Sequence, residues 1–65
     1  MKLTEEQREE LGWIREAVEK LSSEQTELFK DTCHYLKIDE ESQKANWLWD
    51  YLFNGLNVES LEANL

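Results

Sequence analysis

The chain has no proline, only two glycines, one cysteine and one histidine in 65 residues. No uninterrupted apolar stretch approaches the ~20 residues needed to cross a membrane. The opening Met1-Lys2-Leu3-Thr4-Glu5-Glu6 lacks the apolar centre of a secretory signal. Each shortage removes a class of protein. Cys33 alone cannot form an internal disulfide framework and fits a reducing compartment, so the expectation is a cytoplasmic protein without membrane insertion. Structural zinc takes four ligands, usually Cys or His, and Cys33 and His34 are the only side chains of those types. Neither a glycine-rich phosphate loop nor a calcium loop of EF-hand spacing is present. The expectation is no metal and no cofactor.

Basic side chains are scarce as well. Seven Lys and Arg stand against fifteen Asp and Glu, for a formal net charge of -8. Nucleic-acid affinity rests on Lys and Arg displacing counterions from phosphates, so direct DNA or RNA binding is disfavoured. An acidic surface keeps an aromatic-rich chain soluble and favours encounters with a protein partner of basic character. A chain of this length buries only roughly 60% of the surface its unfolded form exposes, which leaves it marginally stable and makes homo-oligomerisation or partner binding a natural support.

What the sequence does contain is helical punctuation. Thr4 followed by Gln7 reads as a capping box, with Glu5 and Glu6 at the positive end of the helix dipole. Leu11, Ile14, Val18 and Leu21 then recur at three- and four-residue spacing and mark one apolar stripe. Ser22 with Gln25 offers a second capping box, and Leu28, Phe29, Cys33 and Leu36 form the next stripe. Asp39 is suited to cap a third helix that opens on Glu40 and Glu41, and Asn54-Gly55 stops it, because glycine accepts a left-handed conformation without steric cost. Val58, Leu61 and Leu65 keep a weaker pattern, with Asn57 as cap. The sequence thus predicts an all-α fold in a single domain spanning 1–65. Its architecture is a compact three-helix bundle over about 5–21, 23–37 and 40–54. A short helical extension over 56–65 is either docked or captured by a partner.

The run Trp47-Leu48-Trp49-Asp50-Tyr51-Leu52-Phe53 holds most of the large apolar surface. At about 100° per residue, Ala45, Leu48, Trp49, Leu52 and Leu56 share the side assigned to the core, with Phe53 on its flank. Trp47 and Tyr51 project from another side and are the surplus pair. Trp13 lies about 110° from the centre of the first stripe, and Gly12 lies farther out, where a residue without a Cβ permits close approach by another backbone. The bland alternative is that a flank tryptophan half-covers its own core edge, or that the C-terminal segment folds back over Trp47 and Tyr51.

Enzymatic chemistry finds little support. Cys33 and His34 are adjacent, so their side chains diverge by about 100° on a helix, and carboxylates on an open helix face lack the desolvation that raises a pKa. The expectation is a small non-enzymatic interaction module, a regulator, inhibitor or assembly factor. Its partner-binding residues are Trp47, Tyr51, Trp13, Gly12, Leu61 and Leu65. A rival is an acidic nucleic-acid mimic that blocks a DNA- or RNA-processing enzyme through Glu5, Glu9, Glu16, Glu19, Glu24, Glu27 and Asp31, although Arg8, Arg15, Lys20 and Lys30 interrupt that track. A further alternative is an obligate homodimer with a structural role.

Overall fold

Thr4 begins the first helix as its capping box predicts. In the computed structural model, which describes residues 2–21 and 23–65, the Thr4 hydroxyl accepts from the Gln7 amide at 3.1 Å, and the Gln7 side chain accepts from the Thr4 amide at 2.9 Å. Two orphan donors are satisfied reciprocally, and α1 (Glu5–Lys20) follows with Glu5 and Glu6 in its first turn. Leu11 and Val18 are buried along its inner stripe. Leu21, expected on that stripe, is instead the C-cap outside the helix and is 40% exposed. There the chain has left the helical path, so the i+3 spacing no longer aims the side chain inward.

The second helix, α2 (Gln25–Leu36), starts later than the expected residue 23, after Glu24, whose side chain makes no cap hydrogen bond. Ser22, the proposed cap, lies outside the described residues. α2 ends through backbone geometry rather than glycine. Lys37 takes the left-handed conformation (φ 58°, ψ 43°), Ile38 N–H returns to the Cys33 carbonyl at 2.8 Å, and Lys37 N–H to the His34 carbonyl at 3.1 Å. These are the two bonds of a Schellman motif, and Ile38 packs against the core as such motifs favour.

The third helix, α3 (Gln43–Phe53), begins three residues after the expected Glu40. The reason is a competing local turn. The Asp39 carboxylate accepts from the Glu41 amide at 3.0 Å, and the Asp39 carbonyl accepts from both the amide (3.0 Å) and the hydroxyl (2.7 Å) of Ser42. Asp39 therefore closes a turn over Glu40 and Glu41, and Ser42 becomes the N-cap, accepting from the Ala45 amide. Gly55, at φ 80°, reverses the chain after Asn54. Asn57 then caps a fourth helix, α4 (Val58–Asn64), accepting from the Ser60 amide at 2.8 Å.

Among the described residues there are four helices: the three expected ones, and the expected helical extension as α4, docked on α3. α3 is central, packing on α1, α2 and α4, while α1 also packs on α2. Leu3, Leu11, Cys33, Leu36, Ala45, Leu48, Tyr51, Leu52 and Leu61 form one core cluster, to which every helix contributes. Leu61 has 0% of its surface exposed, and burying such a side chain contributes roughly 1.5–3 kcal/mol. The radius of gyration is 10.6 Å, close to the ~11 Å expected of a compactly folded chain of this length.

Lys37 is exposed yet holds a conformation that costs an L-residue roughly 1 kcal/mol and glycine almost nothing. Lys37→Gly should therefore raise unfolding stability by about 0.5–1 kcal/mol, read as a higher urea midpoint at unchanged slope. A lower midpoint would show that the lysine side chain contributes more than its backbone strain costs.

Candidate protein interaction surface

The aromatic side chains sort differently from the expected pattern. α3 buries Ala45, Leu48, Tyr51 and Leu52. Compared with the expected set of Ala45, Leu48, Trp49 and Leu52, the inward face is turned by roughly 40°, away from Trp49 and towards Tyr51. Tyr51 is 4% exposed and belongs to the core, so it is not surplus. Its ring is covered from α1 by Arg15, whose guanidinium carbon lies 4.7 Å from the ring centroid, and a Cβ placed on Gly55 would meet the same guanidinium at 3.8 Å. Trp47 is half-buried and packs against the core cluster, as does Leu65. Leu61 is wholly internal. Four of the six residues expected to meet a partner thus serve the protein's own packing.

Trp49 went the other way. It is 37% exposed and stands between two other aromatic rings, edge-on to Phe29 at 5.0 Å and tilted against Phe53 at 4.2 Å. Such pairs add about 0.5–1.5 kcal/mol beyond their burial, so this cluster joins α2 to α3 while leaving part of Trp49 at the surface. Sequence reasoning missed its exposure. The only available signal was the position of Trp49 on the edge of its stripe, beside Phe53.

Trp13 and Gly12 remain. Trp13 is 70% exposed, the most open of the large hydrophobic side chains among the described residues. A Cβ built on Gly12 would meet nothing within 4 Å, so no backbone among the described residues uses the close approach that glycine permits. Together with Glu9 and Glu16 these two residues line an open depression on the outer side of α1. The carboxylates Glu5, Glu9, Glu16, Glu19, Glu24, Glu27 and Asp31 are all exposed.

The cations of α1 are deployed elsewhere. Arg8 pairs with Oε1 of Glu62 on α4, while the other oxygen of that carboxylate accepts from the Leu3 amide at 3.2 Å. Arg8 therefore joins the first helix to the last, and Arg15 lies over Tyr51. At about 100° per residue, Glu6, Glu9, Glu10 and Glu16 fall within about 60° of Trp13 around the helix, whereas Arg8 and Arg15 fall at least about 140° away. Lys20 stands on the Trp13 side two turns further on, and no ion pair joins it to Glu16 among the described residues.

A second depression, lined by Cys33, His34, Lys37, Ile38, Asp39, Glu40 and Glu41, lies where α2 ends. Cys33 is fully buried at its base. Burial pushes its thiol pKa up, and the negative charges of Glu40 and Asp39 push it further in the same direction. That environment opposes the thiolate a nucleophile requires. No group of three or more His, Cys, Asp or Glu is placed to hold a metal among the described residues, and no helix is long and apolar enough to cross a membrane. Compared with protein-family models, curated proteins and solved structures, the chain shows no match.

The buried thiol has a measurable consequence. Below its ordinary value of 9.0, folded and unfolded chains both hold the proton and the stability from this site is complete. As pH rises past that value the unfolded chain ionises first, so stability is lost. Denaturant unfolding at about pH 8 and about pH 10 should show a larger loss in the wild type than in Cys33→Ala, and an aromatic disulfide should label Cys33 only as fast as the protein opens. Equal losses, or labelling as fast as in denaturant, would contradict the buried thiol.

Proposed function

We propose that this protein is a small non-enzymatic interaction module that binds a protein partner through the outer side of α1, centred on Trp13. One observation carries the reading: a tryptophan 70% exposed, beside a glycine whose backbone is open to approach. Leaving an indole in water forgoes burial worth roughly 2 kcal/mol, and tryptophan is among the residues most enriched at the energetic centres of interfaces. Trp49 and Tyr35, 37% and 43% exposed, are the other aromatic side chains available to a partner. Trp47, Tyr51, Leu61 and Leu65 support this surface indirectly by holding together the body that presents it.

The nucleic-acid mimic is retained as a second reading for one reason. All the carboxylates assigned to it are exposed, and two of the cations that interrupt their track in the sequence, Arg8 and Arg15, are engaged with Glu62 and Tyr51. In that case the partner is a basic enzyme of DNA or RNA processing, and charge outweighs the indole.

Affinity purification from the native host separates the two. With Trp13→Ala as bait, the partner recovered by the wild type should be lost while circular dichroism shows unchanged helicity. Reversal of Glu24, Glu27 and Asp31 to lysine should leave recovery intact. Loss on charge reversal with full recovery by Trp13→Ala would favour the mimic, and recovery by both variants would remove α1 from the interface.

A further inference from the structure

We infer that the occupant of the Trp13 surface is an arginine-bearing segment of the partner, with a guanidinium lying on the indole and donating to a neighbouring carboxylate of α1. This deepens the proposed function and rests on it. Three features of the molecule converge on that chemistry. The indole is 70% exposed, so a face of the ring system is open, and the electron-rich faces of tryptophan attract cations more strongly than those of tyrosine or phenylalanine. The depression beside it is walled by Glu9 and Glu16, one turn before and one turn after Trp13, with Glu6 and Glu10 exposed on the same side of the helix. Finally, α1 turns two of its three cations away, Arg8 to Glu62 and Arg15 to the Tyr51 ring, both on the far side, and the third, Lys20, stands two turns beyond Trp13 without an ion pair to Glu16 among the described residues.

The carboxylates around Trp13 consequently have no intramolecular counter-ion within salt-bridge distance among the described residues. A neutral apolar partner would have to cover or approach these charges without compensating them, which is unfavourable. A second copy of this chain would bring another net charge of -8 to the same place. A basic segment compensates them. Arginine suits the site better than lysine, because its planar guanidinium stacks on an aromatic face and still presents a fork of donors to a carboxylate beside the ring. Gly12 completes the argument, since the space a side chain would fill is left for the partner's backbone. A contact of the same kind already occurs elsewhere in the fold, where the Arg15 guanidinium lies 4.7 Å from the Tyr51 centroid.

The test uses the full chain, labelled with nitrogen-15, and three tetrapeptides: tetra-arginine, tetra-lysine and tetra-citrulline, the last a neutral isostere. Tetra-arginine should shift the Trp13 indole N–H resonance saturably and leave that of Trp47 in place. Tetra-lysine should bind more weakly and tetra-citrulline not at all. Trp13→Ala, and separately Glu9→Gln with Glu16→Gln, should each weaken tetra-arginine binding roughly tenfold, whereas Glu24→Gln with Glu27→Gln should not. If the Glu24 and Glu27 pair weakens binding as much as Glu9 and Glu16, or if Trp13→Ala has no effect, the attraction is general and the inference fails. Binding by tetra-citrulline equal to that of tetra-arginine would also overturn it. A host partner lost with Trp13→Ala, combined with no response to tetra-arginine, would preserve the proposed function and reject this occupant.

Discussion

Leu61, with none of its surface exposed, ties the last helix into the same cluster as Leu11, Leu48 and Leu52, and the rest of the structure depends on that contact. A helix of seven residues does not persist in water on its own. α4 exists because Asn57 caps it, because its apolar side enters the core, and because Glu62 is held by Arg8 and the Leu3 amide. Those polar contacts join the two ends of the chain, while the buried leucine supplies the burial that makes ordering them worthwhile. A domain this small has little stability to spare, so losing a fourth layer of packing would be felt throughout.

From that contact the surface follows. With α3 packed on α1, α2 and α4, its inward face includes Tyr51, and the ring is a platform for Arg15. Arg15 is thereby turned towards the body, Arg8 is turned towards Glu62, and the opposite side of α1 keeps an acidic ring of side chains around an open tryptophan. The electrostatic character of the outer surface is thus a consequence of how the core was closed. The same arrangement explains why a chain rich in aromatic residues exposes chiefly Trp13: the run from Trp47 to Phe53 is used in packing, with Trp49 partly exposed between Phe29 and Phe53.

Much of the local structure could be read from short-range chemistry. The reciprocal bonds of Thr4 and Gln7, the stop at Gly55 and the cap at Asn57 each involve residues within a few positions of one another, and each appears where the sequence places it. The start of α3 was harder, because Asp39 and Ser42 are both competent caps and only the closed turn between them decides which one serves. The end of α2 fell within one residue of the expected position, where its apolar stripe runs out, although a lysine and not a glycine occupies the left-handed position. Least legible was the fate of the aromatic residues. Helical spacing identifies which side chains share a side, but the direction that side faces is set by the helices packed around it. For Tyr51 it is the helices around α3 and the reach of Arg15 that make the ring interior. The exposure of Trp13 was legible because the residue falls far outside its stripe.

Native-state hydrogen exchange of the Leu61 amide, which donates to the Asn57 carbonyl, tests the role of α4 most directly. If α4 completes the core, this amide opens with a free energy within about 1 kcal/mol of the amides of α3, as members of one cooperative unit do. Exchange of Leu61 at the rate of an unstructured peptide, while the amides of α3 stay protected, would contradict the account.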